Sequence, residues 1–181
     1  MGEIGTEPTS QLFGMDHVFP MGYNSTVYID YNATILFLNS AIHNVSTKNK
    51  DIIIVGSQSG TIPYAYSNVS YYPTYQYAFL MGTLPDCIVL CVNLFDSFEY
   101  IHRTISFLES AANSKVIALA TIPFNTNRNA NYSTEKSKTV VLDDFCDLQR
   151  DYCSEFKIPL YNIVEKKEIV RLSKQIVDYF S

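Results

Sequence analysis

From about residue 50 onward, short unbroken apolar runs alternate with longer stretches in which apolar residues recur every three or four positions. This is the pattern of strands covered on both faces and joined by amphipathic helices, and it predicts an α/β layer fold with a mainly parallel sheet flanked by helices. Asp51 to Val55 is the first clear strand, Cys87 to Val92 the second and Lys115 to Thr121 the third, with a short one at Leu160 to Asn162. Between them, Thr74 to Met81 reads as a helix closed by Gly82, and Phe98 to Ala112 as a helix with Tyr100/Ile101, Ile105 and Leu108 inward and Ser97 as its cap. Val141 to Phe156 resumes helical spacing. Lys166 to Phe180 is amphipathic, with Ile169/Val170, Leu172, Ile176/Val177 and Phe180 expected inside. Upstream, Ala33 to Val45 is expected to be helical through Ile35, Leu38 and Ile42, and the first thirty residues are the least regular part. Residues 123 to 138, rich in Asn, Ser and Thr, read as a loop.

Length and charge narrow this picture. A chain of 181 residues, 47% hydrophobic, suits one domain with a sizeable core, and a single α/β domain over 1–181 is expected. The net charge of −5, with no basic cluster longer than Lys166-Lys167, argues against nucleic acid or an anionic membrane surface as the partner. No apolar run approaches the length of a membrane helix and no signal peptide is evident, so a cytoplasmic location is expected. Cys87, Cys91, Cys146 and Cys153 lack metal-ligand spacing and read as reduced structural thiols, with Cys146 and Cys153 on one face of a packed helix. The Asn-x-Ser/Thr sequons at Asn24, Asn32, Asn44, Asn68 and Asn131 carry little weight in so Asn-rich a chain.

Ligands in open parallel sheets bind beyond the carboxyl ends of the strands, which directs attention to the loop Gly56, Ser57, Gln58, Ser59, Gly60 and Thr61. Its hydroxyls, its amide and the backbone N–H groups around two glycines suit a phosphate or carboxylate better than they suit catalysis. A strand-to-loop turn needing flexible residues explains the same composition. Asn93 and Asp96 follow the second strand, where they are placed either to read a polar ligand or to cap the next helix. Thr6 and Glu7 would face the same carboxyl edge if Ile4 ends a strand. Tyr64, Tyr66, Tyr71, Tyr72, Tyr75 and Tyr77 form either an aromatic wall or a partner surface. His17, His43 and His102 are scattered, and His102 beside Arg103 reads as part of a solvated helix face.

The runs Ile4-Gly5-Thr6-Glu7-Pro8, Asp51 to Gly60 and Leu84 to Leu90 resemble the later part of dethiobiotin-synthetase-like P-loop NTPases. More closely, Ile4 to Gly14, Phe19-Pro20-Met21-Gly22-Tyr23-Asn24 and Gly56 to Thr61 resemble the bacterial peptide maturation system proteins, a family associated with gene clusters for bacteriocin-like peptides. The resemblance implies a P-loop-NTPase-like three-layer architecture lacking the P-loop strand and helix, truncated at its N-terminal side relative to the family. It implies a nucleotide- or anion-binding-like module with weak or no catalysis, since a carboxylate expected after the first strand is replaced here by Gly56. ATP and Mg²⁺ are expected only if an upstream segment supplies a P-loop, in which case the chain would belong to an ATP-dependent enzyme. A structural interaction protein is the further alternative. The implied partners are a precursor peptide, maturation enzymes or a second copy of the chain, with no nucleic acid and no membrane.

Overall fold

A computed structural model describes residues 1–19, 29–57, 60–64, 74–94, 96–125, 138–139 and 142–181. It is α/β, with parallel sheets flanked by helices. The chain divides into two compact units, Met1–Pro85 and Asp86–Ser181.

In the first unit, β1 (Gly2–Gly5) is the middle strand of a parallel sheet, with β2 (His17–Val18) on one side and β3 (Ile53–Val55) on the other. A 3-10 helix, Pro8–Phe13, links β1 to β2. The helix α1 (Tyr31–Ser46) begins where the Asp30 carboxylate accepts the Ala33 N–H at 2.9 Å, and its buried Ala41 and Val45 pack on Ile4 of the sheet. Further along the same face, Leu38 meets Phe19 and Phe79, the latter from α2 (Thr74–Thr83).

Two expectations are corrected here. The strand after Asp51 is not covered on both faces: β3 is an edge strand and Ile54 is 46% exposed. Gly82 does not close α2 but lies within it, because α1 passes too close for a side chain: a Cβ there would sit 2.9 Å from Leu38 Cβ and 3.2 Å from Ile35 Cα. The left-handed residue that ends the helix is Leu84, at φ 39°. Asn39 seals the approach by donating to the Gly82 carbonyl at 3.0 Å.

In the second unit, β4 (Cys87–Cys91), β5 (Lys115–Thr121) and β8 (Leu160–Asn162) form another parallel sheet with β5 in the middle. A short antiparallel pair, β6 (Phe124–Asn125) and β7 (Lys138–Thr139), falls within the stretch expected to be loop. The helix α3 (Phe98–Ala112) buries Ile101, Thr104 and Leu108. From α4 (Leu142–Phe156), Tyr152 and Phe156 set their rings against Phe98 at 5.1 and 5.2 Å. As an edge strand, β4 is half-buried, where a strand buried on both faces was expected. Cys146 and Cys153 are exposed, so they lie on the outer side of α4 and do not pack; all four cysteines are unpaired.

The helix α5 (Lys166–Tyr179) departs furthest from its apolar pattern. Ile169, Val170, Val177 and Phe180 are exposed, and the buried residue is Glu168. Polar contacts hold this helix. The Glu168 carboxylate accepts from Gln149 of α4 at 3.0 Å and from Arg171 at 2.7 Å, and Gln149 also donates to the Leu160 carbonyl. Further along, the Gln175 carboxamide donates to the Ile117 carbonyl at 2.5 Å and accepts from the Tyr161 hydroxyl. Ile117 is where β5 bulges: Ile88 pairs with Val116 and Val89 with Ala118, which leaves Ile117 without a partner in that ladder. On the side of β8, Pro159, just ahead of Leu160, has no N–H to offer.

Asp16 fixes the turn into β2. It accepts the Glu3 N–H at 3.1 Å and lies 3.5 and 3.6 Å from the Lys48 and Lys50 ammonium groups. The Glu3 hydrogen bond, then Lys50 and Lys48, hold its carboxyl below the ordinary value, against the opposing pull of desolvation. A depressed folded-state pKa contributes stability above the unfolded value and loses it as pH falls through the folded one. Asp16→Asn should therefore flatten the acid limb: between about pH 5 and about pH 3 the variant loses less stability than the parent, read from urea midpoints. Gly82→Ala, which forces α1 and α2 apart, should cost about 1–3 kcal/mol in the same measurement.

Candidate functional site

The ladder between β1 and β3 does not stop at Val55. The Gly56 N–H donates to the Ile4 carbonyl at 2.9 Å, which sets Gly56 and Ser57 at the carboxyl end of β3 beside Gly5 and Thr6 at the carboxyl end of β1. The structure thus brings Thr6, Gly56 and Ser57 together at one sheet edge, with Thr6 buried and the other two exposed. Gly60 is exposed and Thr61 half-buried, just ahead of buried Ile62. Gln58 and Ser59 lie outside the described residues, as do Tyr66, Tyr71 and Tyr72.

Two parts of the loop expectation change. The Gly56 N–H is committed to the ladder and is no donor for a ligand. Nor does Gly56 need to be glycine for the turn, since a Cβ there would meet nothing within 4 Å and its backbone is not left-handed. The useful group is Ser57. Its Oγ accepts from Gln76 Nε2 at 2.6 Å, which leaves the hydroxyl hydrogen to be donated elsewhere.

Gln76 is the residue that sequence reasoning missed. It lies in the first turn of α2 and is only 9% exposed, yet its Oε1 is buried with no hydrogen-bond partner among the described residues. Turning the amide over would strand an NH2 instead, and an orphaned donor is the rarer and costlier arrangement. The available signal was a neutral polar residue among Tyr75, Tyr77, Ala78, Phe79 and Leu80, where an apolar one would have packed without penalty.

Glu7 supports the 3-10 helix: its carbonyl accepts the Ser10 N–H at 3.0 Å, and its exposed carboxylate lies 3.4 Å from the Thr9 hydroxyl. Tyr75 is half-buried and its ring meets that of Tyr31 at 5.1 Å, whereas Tyr64 and Tyr77 are exposed.

In the second unit, Asn93 and Asp96 close a turn on each other. The Asn93 N–H donates to Asp96 Oδ2 at 2.9 Å and the Asp96 N–H to the Asn93 carbonyl at 2.9 Å, while Ser97 caps α3 by accepting the Tyr100 N–H. Asp96 is thus engaged in shaping the strand-to-helix turn. At the same strand ends Asn162 is satisfied by Glu165 and Val164, and Thr121 is buried with its hydroxyl unpartnered among the described residues. His102 Nε2 lies 2.7 Å from Glu155 Oε1, bridging α3 and α4. Burial and Asp86 push the Cys87 thiol up, away from thiolate chemistry.

No protein-family model matches the chain, and no curated protein matches its sequence. The site's chemistry therefore carries the argument. It offers a hydroxyl donor, a buried carboxamide acceptor and the first turn of a helix, all neutral groups. Among the described residues, no cluster of His, Cys, Asp and Glu is arranged to hold a metal ion, and no helix is long and apolar enough to cross a membrane.

Because Gly56 has open space and ordinary backbone angles, Gly56→Ala should leave the fold intact and raise stability by about 0.4–1 kcal/mol through the unfolded chain. A urea titration checks this, and a loss of more than about 1 kcal/mol would show that the glycine is needed.

Proposed function

We propose that this chain is a cytoplasmic anion-binding module of a ribosomal-peptide maturation system, taking its ligand at the carboxyl ends of β1 and β3 with weak or no catalysis of its own. One observation carries this reading: Ser57 sits at that edge beside Thr6 and its Oγ accepts from Gln76, which leaves the hydroxyl hydrogen to be donated to a ligand. Neutral donors and a helix N-terminal turn suit an oxyanion without a matching cation. The peptide-maturation setting rests on the resemblance of Ile4 to Gly14 and of Gly56 to Thr61.

Titration calorimetry with ATP, ADP, inorganic phosphate, acetate and the cognate precursor peptide tests the proposal. At least one of these should bind, and Ser57→Ala should weaken it about tenfold, the value of one good hydrogen bond. No heat with any of the five would overturn the reading.

A further inference from the structure

The geometry points to a peptide C-terminal carboxylate as the anion at this edge, with Gln76 as the residue that selects it; this rests on the anion-binding reading above. An acetate ion has acceptors only: it can take the Ser57 hydroxyl, but it leaves Gln76 Oε1 unpaired, since that atom is an acceptor too. The structure therefore calls for a ligand that joins an anionic oxygen to a nearby donor. A peptide's last residue does this: its carboxylate takes the Ser57 hydroxyl and lies against the positive end of α2, while its amide N–H is donated to Gln76 Oε1.

Gln76 is suited to the task by how it is held. Its Nε2 is fixed on Ser57 at 2.6 Å, and burial limits its movement, so the unpartnered oxygen stands a single carboxamide away from the donor hydroxyl. Among the other described carboxamides that tie elements together, Gln175 uses both poles, on Ile117 and Tyr161, whereas Gln149 and Asn39 use their nitrogens alone. Gln76 differs from these in that its remaining pole is buried, beside a serine that lies where the parallel strands end.

The experiment compares four probes by calorimetry on the full chain: an acetylated trialanine with a free carboxylate, the same peptide with a C-terminal amide, acetate and inorganic phosphate. The free-acid peptide should bind at least tenfold more tightly than acetate and than the amidated peptide. Gln76→Met, which keeps the side chain's length and removes its carboxamide, should erase the advantage of the free-acid peptide over acetate. If that variant does not melt cooperatively, Gln76→Asn serves instead, since it withdraws the acceptor by one methylene. Phosphate or acetate binding as well as the free-acid peptide, or an unchanged preference in the Gln76 variant, would overturn the selection by Gln76 and leave the anion-binding reading standing. No binding by any of the four would overturn the carboxylate proposal, and the anion-binding reading would then stand or fall on ATP, ADP and the precursor peptide.

Discussion

The first unit depends on the backbone of Ile4. Its carbonyl receives the Gly56 N–H, which extends the ladder one residue beyond β3, and its side chain, 1% exposed, is covered by Ala41 and Val45 of α1. One residue therefore fixes both the register of the strands and the position of the helix above them. The sheet edge inherits its geometry from this: Ser57 can stand beside Thr6 only because Gly56 is still paired when the strand ends. A slip by one residue would turn alternate side chains to the opposite face and bring Ile4 out of its cover.

In the second unit a carboxylate and two carboxamides bind across the elements, so polar contacts hold α5 alongside its half-buried Leu172 and Ile176, while Ser114 and Thr121 keep buried hydroxyls without partners among the described residues. Satisfied networks of this kind favour one arrangement over its neighbours. In the first, Gln76 Oε1 and His17 Nε2 are buried without partners among the described residues, each a local cost.

Much of the fold was legible in the sequence because strand and helix periods are local. Phe98–Ala112 and Lys115–Thr121 match the expected bounds residue for residue, and Ser97 caps its helix as the spacing implied. Failures came where tertiary contact overrode the local signal. Gly82 resembled a helix stop because the sequence does not show that α1 passes over it, and the outward face of α5 looked like core because apolar periodicity cannot reveal that Glu168 and Gln175 have partners waiting elsewhere. The candidate site was half legible. Thr6 and Ser57 carry the hydroxyls that suggest an anion, but Gln76 lies 19 positions from Ser57 and announces itself only once the two are in contact.

The Ile117 carbonyl of β5 finds its partner in Gln175, 58 residues further along the chain. During synthesis, β5 emerges with a carbonyl whose partner is not yet made, and it waits until α5 has cleared the ribosome. Translation order thus delays the closing of this unit, and α5 serves as its latch.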